Sequence, residues 1–535
     1  MKKLPLGIQN FREIIREDYI YIDKTKYVYD LLNSVKSYFL SRPRRFGKSL
    51  LLDTIGEVFS GDRELFKGLW IYDSDYAFPK HPVLRLDMSN IANKTPEILE
   101  RELTDEMLKH IGSEGFKINS DIPSNLFKNL IESLYKKYGQ GVVVLIDEYD
   151  KPILDHLLDI DTAEANRMVV KSFYGILKSM DPFLRLTFVT GVTKFTKTSI
   201  FSEMNNLLDI TLTREYANIC GIPVDELDEF FHEHIEHLAG MEDFREIDDL
   251  RGEILDWYDG YSWDGKTRVL NPFGLLSFFM QKRFESFWYA SGSPKFLVDL
   301  LKTKPASFLL LHDLMLRESA LDSFDIRRIG APSLLFQTGY LTVKEIMPGT
   351  GSRPYRLGIP NREVREAFNI NIIAEFTESG GDATESAYLG LKEALQASDL
   401  GRVRDILKSL FASIPYQLHV DAEAYYHSIF YAIMNLLGFD IAAEVSVSGG
   451  RIDAALEMGD KVYVMEFKYR RCPPEASPEE KRALFDKALE EGLKQVAENG
   501  YADKYAGSGK DIVQAVFAFL GRDDIEMRIA AGQGL

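Results

Sequence analysis

The sequence predicts an α/β protein in three parts. These are a parallel sheet with helices on both faces over residues 1–215, a mainly helical region over 216–380, and an α/β unit with a mixed sheet over 381–535. Three observations carry this. Short apolar runs alternate with amphipathic helical patterns in the first part. Glycine and proline punctuate helical stretches in the second. A meander of strands, a charged helix and one more apolar run close the third.

In the first part the expected strands are SYFLS (37–41), PVLRLDMS (82–89), GVVVLIDEYD (141–150), RLTFVTGV (185–192) and NLLDITL (206–212). Near-continuous apolar strands are the mark of parallel sheets buried on both faces. In the middle part, WYDGYSW, LNPFGLL, ASGSPKFL and GAPSLLFQTGYL break helical patterns, and IMPGTGSRPYRLG reads as a hairpin or loop. The polar stretch FTESGGDATES (376–386) is a candidate boundary. In the third part, helices precede a three-strand meander over 439–469, a helix over 478–499 and a final strand IVQAVFAFL.

Composition narrows the function classes. With 45% hydrophobic and 27% charged residues the chain has the make-up of an ordinary soluble globular protein. Two cysteines, Cys220 and Cys472, exclude a disulfide framework and a cysteine-based zinc site, which fits a reducing, cytoplasmic setting. The N-terminus lacks an apolar core of signal-peptide length, and no run reaches the roughly 18–20 apolar residues of a membrane span, so no membrane partner is expected. A net charge of −18 speaks against constitutive, tight nucleic-acid binding, although a local basic groove remains compatible with action on DNA.

The stretch YFLSRPRRFGKSLLLDTI carries the first candidate site. A strand, a loop and Gly47-Lys48-Ser49 opening a helix is the context of a phosphate-binding loop, though Arg42 stands where the first glycine of that motif belongs. Backbone N–H groups at the helix start face the phosphates, Lys48 reaches the β/γ-phosphates and Ser49 ligates Mg²⁺. Arg42, Arg44 and Arg45 add positive charge beside them. VVVLIDEYDKP ends in Asp147 and Glu148, the first expected to hold Mg²⁺ through water beside the loop after strand one, the second to polarise an attacking water. Thr190 or Thr193, at the tip of a further strand, could sense the γ-phosphate, and Arg214 is a weak candidate for a charge sensor. The nucleotide-binding set expected is therefore Arg44, Arg45, Phe46, Gly47, Lys48, Ser49, Leu50, Asp147 and Thr193, with Glu148 as catalytic group.

The second candidate site lies in GRIDAALEMGDKVYVMEFKYRR. Glu466 and Lys468 are two residues apart on a strand and project from one face. A tight turn brings the strand of Asp453 alongside. Two carboxylates and a lysine at one corner suit metal-assisted phosphodiester hydrolysis, with Asp453 and Glu466 as metal ligands and Lys468 orienting the nucleophile or steadying charge.

The chain resembles the bacterial AAA-ATPase-like proteins that carry a C-terminal PD-(D/E)XK nuclease superfamily domain. The matching segments are DYIYIDKTKYVYDLL, FLSRPRRFGKSLL, VLIDEYDKP, FVTGVTKFTKTSIFSEMNNL, WYDGYSW, VLNPFGLL, LLFQTGYLT and IPNREVR, spread over nearly the whole chain. The resemblance implies a P-loop NTPase fold over 1–215, a lid- or winged-helix-like region over 216–380 and a restriction-endonuclease-like fold over 381–535. It makes RPRRFGKS a family variant of the phosphate loop, of a kind found more often in switches than in motors. It also implies that Tyr21, Asp23 and Lys24 lie near the nucleotide. The spacing of Asp453, Glu466 and Lys468 matches the nuclease core, with Arg451-Ile452 before the aspartate where many relatives differ. Glu423 is implied as the acidic residue of the first core helix, and Gln495 with Tyr501 as the glutamine–tyrosine element of a later helix.

The expected function is an ATP-binding and ATP-hydrolysing protein, with ATP and Mg²⁺ as cofactors, coupled to a metal-dependent nuclease-like domain that acts on DNA under nucleotide control. The alternative is a nucleotide-operated switch or scaffold with a silent nuclease fold. A homo-oligomer is compatible with either.

Overall fold

The protein is described from a computed structural model. It describes residues 1–194, 200, 206–241, 246–290, 314–321, 330–348, 353–366, 381–412, 434, 441–447, 450–473, 475–499, 501–505, 507–521 and 524–530. The chain forms two compact units, one containing Met1–Leu297 and Leu310–Val364, the other containing Arg365–Leu535.

The first unit is built on a five-stranded parallel sheet of β1 (Ser37–Ser41), β2 (Val83–Asp87), β3 (Val142–Asp147), β4 (Leu184–Gly191) and β5 (Leu208–Asp209). Every residue of β1 and β3 is buried, as their unbroken apolar runs require. The order is β2-β3-β4-β1-β5. That order separates the first strand from the one that carries Asp147. Asp147, at the end of β3, does not sit on the strand next to β1, because β4 lies between them.

The helices around this sheet follow ordinary start and stop signals. Thr95 caps the helix Pro96–Ser113 by accepting from the Ile98 N–H at 3.3 Å, and proline opens the helix where its missing donor costs nothing. Pro123–Tyr138 ends at Gly139, whose φ of +64° suits glycine.

The middle region contributes the helices Val224–Ala239, Ile247–Tyr258, Pro272–Gln281 and Ala331–Thr338. Two small sheets join them. One is the pair β6 (Ile222–Pro223) and β7 (Val269–Leu270), the other the antiparallel β8 (Leu314–Arg317), β9 (Thr342–Ile346) and β10 (Pro354–Gly358) in the order β8-β10-β9. IMPGTGSRPYRLG is thus the hairpin, not the loop, since its flanks are the antiparallel β9 and β10.

In the second unit the helices Gly381–Gln396 and Leu400–Ala412 precede a sheet of β11 (Ile441–Val447), β12 (Gly450–Met458), β13 (Lys461–Arg470), β14 (Asp511–Leu520) and β15 (Asp524–Ile529). The helix start at Gly381 falls inside the stretch read from sequence as a boundary. The meander β11–β12–β13 is antiparallel, β14 joins β13 in parallel, and β15 closes the edge antiparallel. β14 is therefore not the final strand. The alternation in DIEMRI was the available signal, weakened by its charged positions.

Alternation along β13 sorts the core. Tyr463, Met465 and Phe467 face the helices Gly381–Gln396 and Leu400–Ala412. Val462 and Val464 face the helix Pro478–Asn499. Gly492 lets that helix approach β14 so closely that a Cβ there would collide with the Val516 side chain. Gly492→Ala is expected to lower the stability of this unit by about 1–3 kcal/mol, the usual cost of overpacking. Chemical denaturation followed by circular dichroism would measure it, and an unchanged midpoint would show that the helix shifts freely.

Candidate functional site

The phosphate loop is shaped by two left-handed residues. Arg45 has φ +67° and Gly47 φ +88°. Nothing lies within 4 Å of a Cβ placed on Gly47, so conformation rather than space calls for glycine there. Gly47 is the N-cap of the helix Lys48–Val58 and supplies no side chain to cap its first N–H groups. A helix start of this kind is a built anion site.

Lys48 is buried. Its Nζ donates to the Arg42 and Pro43 carbonyls at 3.1 Å each and lies 3.5 Å from Glu148 Oε1. Ser49 Oγ donates to Asp147 Oδ2 at 2.5 Å, so two side chains 98 residues apart meet although their strands are not neighbours. Burial, and next the Glu148 charge, push the Asp147 carboxyl up to about 6, against the opposing pull of Lys48 and Ser49. Glu148 has φ +49°, a strained conformation for a non-glycine residue and one that recurs at functional sites.

Arg42 does not point its charge at the loop opening. It is fully buried, donates to the carbonyls of Ser41, Thr211 and Tyr216 at 2.9, 2.9 and 3.1 Å, and lies 3.9 Å from the centre of the Trp263 ring. Burial lowers its pKa to about 10. Arg42 thus ties the start of the loop to the segment after β5, while Arg44 and Arg45 are exposed. Phe46 is buried edge-on against Tyr261 and Trp263, at 4.7 and 5.5 Å between ring centres.

Thr193, named from the sequence as a γ-phosphate sensor, is engaged by Asp150. It is fully buried, and its hydroxyl and N–H donate to Asp150 Oδ2 at 2.5 and 2.6 Å. Asp150, missed in the sequence although it closes the same DEYD run, also accepts from the Val192 N–H. It locks the end of β4 to the turn after β3. Thr190 is buried too, and Arg214 is exposed.

Beside the loop an apolar cleft runs from Gly47 and Leu50 to Tyr21, Ile22, Cys220 and Leu276. Lys24 lines it as well and pairs with Glu226 Oε2 at 2.7 Å. Asp23 has a structural task instead, accepting from the N–H groups of Thr25 and Trp70. Helix start, lysine, hydroxyl–carboxylate pair and apolar cleft together fit a nucleoside triphosphate with Mg²⁺: N–H groups and Lys48 for phosphates, Ser49 and Asp147 as hard oxygen ligands, the cleft for a base.

In the second unit the strand alternation places Asp453 on the face of Ala455, and Glu466 and Lys468 on that of Val464, the face covered by the helix Pro478–Asn499. In the pairing of β12 with β13, Ala454 lies opposite Met465, and Asp453 Oδ2 accepts from the Phe467 N–H at 2.8 Å. The aspartate therefore stands next to Glu466. Glu466 is fully buried and accepts from Lys468 Nζ at 2.7 Å. Gln495 lies on the covering helix, three residues beyond Gly492. Tyr501 begins the short turn Tyr501–Tyr505. Glu423 lies outside the described residues. Among the described residues no three His, Cys, Asp or Glu side chains are grouped to hold a metal, so the site seen here offers the pair Asp453 and Glu466. No helix among the described residues is long and apolar enough to cross a membrane.

These features define a P-loop unit of the AAA type followed by a nuclease-like α/β unit. The comparisons agree. Residues 5–201 match the predicted AAA-ATPase family and residues 421–528 the PD-(D/E)XK nuclease superfamily. The "uncharacterized protein in vnfD 5′ region" of Azotobacter chroococcum mcd 1 is 35% identical over 518 residues, 96% of this chain and 95% of that protein. Among solved structures the chain aligns with the Aeropyrum pernix ORC2 protein (12% identity, 65% of this chain, 93% of that one, TM-score 0.27). It also aligns with Drosophila ORC bound to poly(dA/dT) DNA and Cdc6 (12% identity, 73% and 68%, TM-score 0.22). Scores this low say nothing about shared activity. The chain belongs to the AAA-ATPase-like family whose members carry a C-terminal PD-(D/E)XK nuclease superfamily domain.

Proposed function

We propose that this protein binds and hydrolyses ATP at the Gly47–Ser49 loop and uses the nucleotide state to control metal-dependent cleavage of DNA phosphodiesters at Asp453, Glu466 and Lys468. The observation that carries the first half is the contact of Ser49 with Asp147 beside Lys48, on a helix start without a side-chain cap. Bound Mg²⁺ bridges phosphate oxygens and offsets the charge that develops on them. Arg44, Arg45, Phe46 and Leu50 surround the phosphates and the base, and Glu148 polarises the attacking water. Thr193 acts through Asp150, holding the neighbouring turn.

In the second half, Asp453 and Glu466 hold the metal and Lys468 steadies charge on the scissile phosphate. Glu423 and Gln495 are carried as supporting residues by family likeness. The nuclease superfamily match supports a nucleic-acid substrate, and the functional parts are 1–215, 216–380 and 381–535.

The silent-nuclease reading has one observation in its favour. Glu466 is fully buried and already paired with Lys468. Such a pair opens to a metal only if the metal replaces the ammonium as counter-charge. Cleavage of single- and double-stranded DNA with Mg²⁺ or Mn²⁺, with and without ATP, separates the readings. ATP-responsive cleavage supports the coupled enzyme. ATP binding with no cleavage under any condition supports the switch.

Glu148→Gln is expected to bind ATP and hold it, with turnover reduced roughly 10²–10⁴-fold, the usual contribution of a positioned base. Single-turnover hydrolysis would measure this, and unchanged turnover would remove Glu148 from the role.

A further inference from the structure

The segment Arg44–Gly47 needs an external hold. Arg45 is a non-glycine residue in the left-handed region, a conformation that persists only where the surroundings impose it. Two contacts of this segment, one at Arg44 and one at Arg45, lead to one buried acid. The Trp288 indole N–H donates to the Arg44 carbonyl at 2.9 Å. The Trp288 backbone N–H donates to Glu363 Oε1 at 2.7 Å. The Arg45 guanidinium lies 5.0 Å from the centre of the Phe273 ring. Phe273 precedes Gly274, whose absent Cβ would sit 2.8 and 3.2 Å from the two Glu363 oxygens. Ser286 Oγ adds a third tie, donating to the Glu363 carbonyl at 3.1 Å.

From this convergence we infer that Trp288 and Glu363 are positioning residues for the phosphate loop. Glu363 seats Trp288 and the helix Pro272–Gln281, and these hold Arg44 and Arg45 in the conformation that presents Gly47, Lys48 and Ser49 to phosphate. The inference rests on the nucleotide-site reading above. Trp288 thus holds the loop by the hydrogen bond of its indole N–H to Arg44. Glu363 has no exposed surface, and burial pushes its carboxyl up to about 8, against the opposing pull of the Trp288 and Phe287 N–H groups, which favours the neutral form.

The test is the affinity of the full chain for a fluorescent ATP analogue with Mg²⁺, measured for wild type, Trp288→Phe, Glu363→Ala and Glu363→Gln. Trp288→Phe keeps an aromatic ring and removes the indole donor. It is expected to weaken binding roughly tenfold, the worth of one hydrogen bond, with the thermal unfolding midpoint held within a few degrees. Glu363→Ala is expected to weaken binding by at least as much. Glu363→Gln, which keeps the acceptor and the neutral shape, is expected to recover most of that loss. Wild-type affinity in Trp288→Phe overturns the inference, as does a glutamine variant no better than alanine. Failure of the wild type itself to bind the analogue overturns the nucleotide-site reading, and this inference with it.

Discussion

Lys48→Ala is expected to weaken ATP binding on the order of 100-fold or more and to leave the first unit folded. The size follows from losing the ammonium that reaches the β/γ-phosphates, since hydrogen bonds to charged groups contribute about 1.5–3 kcal/mol each and 1.4 kcal/mol is a factor of ten. The preserved fold follows from the lysine's surroundings. Its Nζ touches two loop carbonyls and the Glu148 carboxylate, and the side chain of Glu148 is 23% exposed, so water can replace the cation. Asp147, whose carboxyl already sits near 6, can take up a proton when the neighbouring positive charge is gone. Isothermal titration calorimetry with ATP and Mg²⁺, beside a thermal melt, gives both numbers. Wild-type affinity in a folded variant would remove Lys48, and with it the loop, from the nucleotide site.

Asp453→Asn is expected to abolish metal-dependent DNA cleavage, by at least roughly 10³-fold, and to leave ATP affinity unchanged. Removing one of two carboxylates deprives the metal of half its anionic ligands, and metal-ion catalysis supplies several kcal/mol of transition-state stabilisation, each 1.36 kcal/mol being tenfold in rate. Asparagine is the informative substitution. Asp453 Oδ2 accepts from the Phe467 N–H, and an amide oxygen can still do so. Alanine would leave that N–H unpaired and confuse lost metal with lost structure. Retained cleavage in Asp453→Asn would place the chemistry elsewhere in the chain. An inactive wild type that still binds ATP would favour the nucleotide switch over the coupled enzyme.

Much of the architecture was legible because its signals are local. The apolar runs at 37–41 and 141–150 and the helix at 478–499 carry their periodicity within a few residues, and burial on both faces or on one stripe follows from it. Gly47, Lys48 and Ser49 stand in a row, and Glu466 and Lys468 share a strand face by a spacing of two. Each of these needs only the chain's own geometry.

Only the tertiary structure decided which distant groups meet. That β4 separates β1 from β3, so that Asp147 reaches the loop through Ser49, depends on how the whole sheet is ordered. Arg42 turns inward because the carbonyls of Thr211 and Tyr216 and the Trp263 ring are brought to it from 169 or more residues away. Thr193 is claimed by Asp150, and Trp288 by Arg44 and Glu363, through hydrogen bonds that no local pattern announces. Sequence periodicity records how often a side chain must be hidden; the partner it is hidden against is chosen when separate elements pack, by shape and by the need to satisfy every buried polar group.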